Sequence, residues 1–218
     1  MSQKWINLSM SSNLLNHIKQ YGLEDRVDDI LSRIYVIYRT FEDQVRSGVS
    51  RAVALTSFYK EVDRIIAEDL AADPVPVSCK KGCGACCNMS VSVNLIEAEL
   101  LVKYAKEHNI PIDEAYLKRQ LEVMPEALPF HSAVSSCIFL TKDKTCGIYD
   151  ARPFACRKYL VVTPAEKCNI PKYPNFQVRD IIFPRVEEVV SAVDTAAERI
   201  GSMPEMLLEV LGQQKQTS

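Results

Sequence analysis

Eight cysteines, all lying between Cys79 and Cys168, constrain this 218-residue chain more than any other feature. No thiol precedes Cys79 and none follows Cys168. They fall into two groups. The first is tight: Cys79-Lys80-Lys81-Gly82-Cys83-Gly84-Ala85-Cys86-Cys87. The second is dispersed, with Cys137, Cys146, Cys156 and Cys168 separated by 8, 9 and 11 residues. A short loop aims several sulfurs inward at small entropic cost, so closely spaced thiolates suit a soft metal ion or an iron–sulfur cluster. Glycine is scarce, with 7 in the chain, yet Gly82 and Gly84 both fall inside the first group. A metal-wrapping turn needs the positive φ values that glycine adopts without strain. Lys80 and Lys81 offset thiolate charge and favour ligation.

Cys86 and Cys87 are adjacent, and in an extended chain neighbouring side chains point to opposite sides. They serve two sites, or a site and a free thiol, more naturally than one shared ion. Eight cysteines supply two four-thiolate sites, or one such site with four spare thiols, and the spacing leaves the partition open. The wide gaps of the second group are unlike the paired C-x2-C of a zinc ribbon. Each of its cysteines comes from a different short element, so a metal held there staples the fold.

The stretch Met1 to Met10 has neither a continuous apolar core nor a small-residue cleavage site, so no secretory signal is expected. No apolar run is long enough to span a bilayer. The expected location is the cytoplasm, where thiols stay reduced and clustered cysteines bind metal or do redox chemistry rather than form disulfides. The 26 basic and 28 acidic residues give a formal net charge of −2. That balance leaves no electrostatic footprint for nucleic acid. Neither nucleic acid nor a membrane is an expected partner, and no protein partner is identified.

The predicted architecture is mainly α: a helical bundle with an irregular cysteine-rich metal-binding insert that contains a small β-hairpin. Its parts are N-terminal helices over 1–73, the cysteine-cluster region over 74–175, and C-terminal helices over 176–218 that pack on the N-terminal ones within one compact domain. Val27, Ile30, Leu31, Ile34, Ile37, Tyr38, Phe41 and Val45 form a stripe at helical spacing. Ser50 caps a second helix carrying Val53, Leu55, Phe58, Val62, Ile65, Ile66 and Leu70. The two make a helical hairpin with inward stripes, preceded by a shorter helix from Leu14 to Tyr21. Asp73-Pro74-Val75-Pro76 breaks the pattern and delivers the chain to the first cysteines. Asn94 with Glu97 reads as a capping box for a helix through His108, and 113–123 is helical again. Ser136–Leu140 and Gly147–Tyr149 flank a polar five-residue turn, the hairpin. Asp150 with Pro153 reads as the N-cap of a short helix. Pro164, Pro171 and Pro174 mark an irregular stretch, and helices follow over 185–200 and 203–211.

The assembled cysteines resemble the YkgJ-like cysteine-cluster family, the CxxCxxCC zinc- or iron-chelating domain. The match lies in Cys79-x3-Cys83-x2-Cys86-Cys87, in Cys137-Ile138-Phe139-Leu140, and in Cys146-Gly147-Ile148-Tyr149-Asp150-Ala151-Arg152-Pro153-Phe154-Ala155-Cys156-Arg157, with Cys168 in the place of the last cysteine. The resemblance implies a metal-chelating domain over about residues 79 to 168 and leaves the flanking helices uncovered. It extends to a flagellin lysine methylase, so a metal-dependent modifying enzyme is the alternative to a redox or electron-transfer accessory or a structural zinc module. Whether the chain is an enzyme stays open: it has no glycine-rich cofactor fingerprint and no Ser/His/Asp arrangement. The Cys79-x3-Cys83-x2-Cys86 spacing also matches the cluster loop of radical S-adenosylmethionine enzymes, but here helices precede it and no βα alternation follows. The compact four-cysteine run favours an iron–sulfur cluster slightly over zinc. Arg152 and Arg157 flank Cys156 and are expected to pair with carboxylates or cap local carbonyls, the alternative being hydrogen bonds to sulfur or an anionic partner. Tyr149 and Tyr159 read as packing residues, and His131 as a bystander to the thiols.

Overall fold

A computed structural model of the chain describes residues 10–80, 82–123, 136–168, 177–197 and 199–216. The described helices are α1 (Ser12–Tyr21), α2 (Val27–Arg46), α3 (Arg51–Ala72), α4 (Leu95–Glu107), α5 (Glu114–Val123), α6 (Phe154–Lys158), α7 (Pro184–Ala197) and α8 (Met203–Gln216). The chain divides into two compact units: Met1–Pro74 with Ile182–Arg199, and Val75–Ile181 with Ile200–Ser218. The mainly helical class expected from the periodicity is the class observed. The 176–218 segment is shared between the units, with α7 in the first and α8 in the second.

In the first unit the stripe on α2 buries Ile30, Ile34 and Phe41. Ser50 caps α3 by accepting a hydrogen bond from the Val53 amide. Residues Leu55, Phe58, Val62, Ile65 and Ile66 of α3 are buried as expected, whereas Val53 is exposed, one position outside the buried face. The inward partner of α2 is chiefly α7, which also packs on α1 and α3. That role explains why α7 is buried almost all round, at Val186, Val189, Val190, Ala192 and Val193 but also at Glu187, Glu188 and Ser191. Buried carboxylates require partners. Glu187 accepts from Ser11 Oγ at 2.7 Å and Asn13 Nδ2 at 3.2 Å, while Arg33 clamps Glu188 with two bonds of 2.9 and 2.7 Å.

The second unit holds the cysteines. Its core joins Val93, Leu101, Val102, Leu117, Phe139, Ile148, Met206 and Leu207, which places the cysteine hairpin, α4, α5 and α8 in one apolar cluster. Each such fully buried side chain contributes about 1.5–3 kcal/mol of transfer free energy. The capping box at α4 is formed: Asn94 Oδ1 accepts from the Glu97 amide at 2.9 Å, and Glu97 Oε2 accepts from the Asn94 amide at 3.1 Å. Just before it, β1 (Ser92–Asn94) pairs antiparallel with β2 (Ile200–Ser202), Val93 opposite Gly201. The pair ties the entrance of α4 to that of α8, and its three-residue alternation is too short to stand out in the sequence.

Within the predicted hairpin, an antiparallel bridge joins Leu140 to Cys146, and the Gly147 amide donates to Phe139 O at 2.8 Å. The capping expected at Asp150 is corrected: Tyr149–Ala151 is a 3-10 turn, and α6 starts only at Phe154 with Pro153 at its N-cap. The reason is steric. Proline disfavours helical geometry in the residue before it, and Arg152 is extended at φ −51°, ψ 134°.

Candidate metal centre

Every cysteine lies among the described residues and none is in a disulfide. His131 and the proline positions 171 and 174 lie outside the described residues.

The first group is built on a return strand. The Ser78 amide donates to Val161 O at 2.8 Å, and the Val161 amide donates to Cys79 Sγ at 3.4 Å. The 161–163 segment is held from its other side, where the Val162 amide donates to Arg179 O at 3.1 Å and the Arg179 amide to Thr163 Oγ1 at 2.8 Å. Beyond it, the 3-10 turn Ala165–Cys168 brings Cys168 Sγ to 3.9 Å from Pro164 O. One short stretch therefore supports both Cys79 and Cys168, the two ends of the cysteine region.

The loop then turns at Gly82 and Gly84, which have φ of +81° and +52°. A Cβ on Gly84 would sit 3.0 Å from Lys144 O, so the first loop lies directly against the tip of the hairpin. Cys86–Asn88 forms a 3-10 turn, not the extended geometry assumed in separating the neighbouring thiols. The Cys87 thiol instead hydrogen-bonds to the Cys86 sulfur.

The hairpin carries the next two thiols. The Cys137 amide donates to Cys87 O at 2.6 Å, and Ser136 Oγ donates to Asn88 Oδ1 at 2.7 Å. Helix α5 holds the same junction, with Tyr116 Oη and Gln120 Nε2 donating to Ser136 O at 2.8 and 3.0 Å. Cys156 comes from α6, whose first amide, on Phe154, donates to Glu97 Oε1 at 2.7 Å. Glu97 thus uses one carboxylate to start two helices. Sequence reading found its capping role but not the second, because only the fold brings α6 to α4.

Electrostatics joins the two groups. Burial pushes the Cys137 thiol up to about 11, and raises those of Cys79, Cys146, Cys156 and Cys168 as well. Cys86 moves the other way, down to about 7, because the Cys87 thiol donates to its sulfur. The Cys86 residue is exposed, and its charge is felt by Cys79, Cys87, Cys137, Cys146, Cys156 and Cys168. Tyr159, pushed up to about 12 by burial and then by Asp180, stands beside Cys168, Cys86 and Cys79.

Two arginines frame the thiols. Arg157 is buried and its guanidinium donates to Arg152 O at 2.7 Å and to Asp150 O, fixing the turn before α6. Capping local carbonyls is the role expected for it. The Arg152 guanidinium stacks 3.7 Å over the exposed Tyr149 ring, and its Nε donates to Tyr149 O at 3.1 Å. Its positive charge favours the thiolates of Cys86, Cys79 and Cys146.

Among the described residues, no three His, Cys, Asp or Glu side chains stand at the spacing of a finished metal cage. The donor chemistry nonetheless suits a soft ion: the segment offers eight free thiols, and the Arg152 charge favours the thiolates of three of them. Residues 78–177 match the family described as "CxxCxxCC: Putative zinc- or iron-chelating domain". The matched segment contains all eight cysteines, the residues on which the resemblance rests. No match was found among curated proteins, and none among solved structures. Among the described residues, no helix is long and apolar enough to cross a membrane.

Proposed function

We propose that this protein is a cytoplasmic metal-binding protein that holds iron–sulfur or zinc through Cys79, Cys83, Cys86, Cys87, Cys137, Cys146, Cys156 and Cys168, with iron–sulfur the favoured occupant. The observation that supports the reading is that free thiols on separate elements are tied together by hydrogen bonds, the Cys137 amide donating to Cys87 O at 2.6 Å and the Val161 amide to Cys79 Sγ at 3.4 Å. Partly buried thiols that desolvation holds protonated are poorly served by staying metal-free. The metal supplies Lewis acidity or, as a cluster, an electron store. The chain supplies the sulfurs, and its hydrogen bonds fix the backbone from which they close on the metal.

An electron-transfer or redox-accessory role is the form of this function that the exposed Cys86 supports, since a surface sulfur brings a cluster within reach of a partner. The test is anaerobic purification of the full chain, with metal analysis and a visible spectrum before and after dithionite. Iron with acid-labile sulfide and a band that bleaches on reduction is the expected result. A colourless protein with stoichiometric zinc would replace the cluster and the redox role with a structural zinc site. A chain that takes up neither metal under reducing conditions would end the proposal.

A further inference from the structure

We propose that Ser136, acting through Asn88, is the positioning residue of the Cys86–Cys87 turn, and that it fixes this turn against α5 before any metal arrives. The inference deepens the metal-binding reading above, on which its consequence for affinity rests.

The peptide group between Ser136 and Cys137 is gripped from both sides. Its oxygen faces α5, where Tyr116 Oη donates to Ser136 O at 2.8 Å and Gln120 Nε2 donates to the same atom at 3.0 Å. Tyr116 and Gln120 are four residues apart and share one face of the helix. A carbonyl oxygen has two lone pairs, and here each has a donor. Gln120 is 4% exposed, and a polar side chain so buried requires partners of this kind. The N–H of the same planar peptide group belongs to Cys137 and donates to Cys87 O at 2.6 Å. What α5 holds on one side therefore holds the cysteine turn on the other.

The Ser136 side chain adds a second path to the same turn. Its Oγ donates to Asn88 Oδ1 at 2.7 Å. Asn88 Nδ2 donates to Gly84 O and Ala85 O, both at 3.4 Å, and the Cys87 and Asn88 amides donate to those two carbonyls at 3.2 Å. Carbonyls only accept, so the Asn88 amide must turn its NH2 to the loop and its oxygen to Ser136. The frame behind this junction is the core of the second unit: Cys137 packs on the apolar cluster that contains Leu117 of α5, Leu101 of α4 and Leu207 of α8. A turn held in advance loses less conformational freedom when it closes on a ligand, which raises affinity without adding a contact. Neither Ser136 nor Asn88 offers a sulfur, so altering them leaves all eight thiols in place.

The test compares the natural full-length chain with Ser136→Ala, Ser136→Thr and Asn88→Ala, all reduced and metal-free. Amide hydrogen exchange, read by mass spectrometry on peptides covering 84–91 and 136–140, reports opening of the turn. Loss of the Ser136–Asn88 bond should speed exchange there about twofold to tenfold in Ser136→Ala, and at least as much in Asn88→Ala, with peptides from α2 and α7 unchanged. Ser136→Thr keeps the hydroxyl and should exchange like the natural chain. Titration with Co(II) under argon, read by thiolate-to-metal charge-transfer absorption, should show affinity lowered by the same factor in both alanine variants and restored in the threonine variant. Far-UV circular dichroism shows whether each variant has folded, and Asn88→Ala decides the matter if Ser136→Ala has not. Unchanged exchange in a folded alanine variant, or exchange accelerated equally throughout the chain, would overturn the positioning role. Faster local exchange with unaltered Co(II) affinity would overturn its service to the metal. No thiolate-bound Co(II) in the natural chain would remove the metal-binding reading, while the exchange rates still decide whether Ser136 positions the turn.

Discussion

The first cysteine loop meets the tip of the hairpin at Gly84, and a methyl group there probes the contact. Gly84 has φ +52°, and an added Cβ would stand 3.0 Å from Lys144 O and 3.2 Å from Lys144 Cβ. Lys144 cannot yield easily, because it is itself a non-glycine residue at φ +57°, fixed in the tip of the hairpin. Gly82 provides the control: its φ is +81°, yet nothing lies within 4 Å of its Cβ position. Left-handed geometry costs a non-glycine residue about 1–2 kcal/mol, and both Gly84→Ala and Gly82→Ala incur it. Only Gly84→Ala adds an overpacking cost, about 1–3 kcal/mol. The expected loss is therefore about 1–2 kcal/mol for Gly82→Ala and about 2–5 kcal/mol for Gly84→Ala. Urea denaturation of the reduced, metal-free proteins, followed by far-UV circular dichroism, measures both. The excess of Gly84→Ala over Gly82→Ala corresponds to a midpoint shift of roughly 0.5–2 M for an ordinary urea slope. If the two variants unfold at the same urea concentration, the first loop does not rest on the hairpin tip, and the geometry that joins the cysteine groups is wrong.

Glu97→Gln keeps the volume of a buried side chain but presents an amide NH2 to one of the two backbone donors on Asn94 and Phe154. A loss of about 2–3 kcal/mol is expected, and a denaturation midpoint unchanged from the natural chain would show that Glu97 does not join α4 to α6. Arg152→Gln should weaken Co(II) binding about tenfold at neutral pH, measured by competition with a chromophoric chelator, with secondary structure unchanged; equal affinity would place the guanidinium charge out of reach of the thiolates. The metal-free chain should be alkali-labile. Thiols raised above their ordinary value of 9.0, Cys137 to about 11, keep protons that the unfolded chain gives up. Their contribution is fully present below about pH 8 and is lost as pH rises towards about 11. Urea midpoints that stay level over that range would contradict the burial of these thiols. Metal binding has the opposite dependence, because the ligating form is the thiolate: Co(II) affinity should rise with pH, with proton release detectable in weak buffer.

Much of the local structure follows from residues that act on their immediate neighbours. The Asn94–Glu97 capping box, the Ser50 cap and the apolar stripe of α2 each depend on contacts within a few turns of one helix. The hairpin turn is similarly local, closed by Thr141 and Thr145. The segment that carries the cysteine spacing and its two glycines is the one that matches the family model. Where the reading moved, a sterically specific detail intervened. Pro153 pushed the start of α6 past Asp150 to Phe154, and the 3-10 turn at Cys86 replaced an extended pair.

Sequence alone determined that this chain makes amphipathic helices around a reduced thiol cluster, because hydrophobic period and cysteine count are properties of order along the chain. Tertiary structure decided which distant residues share a task. It set α7 among α1, α2 and α3 while α8 joined α4 and α5, since apolar stripes specify burial but not a partner. It also gave Glu97 its second helix, and brought Cys168 back to Cys79 along the 161–164 segment. Those pairings rest on apolar packing and on side chains such as Glu97 and Cys79 that accept from backbone amides far away in sequence, and they exist only once the chain has folded.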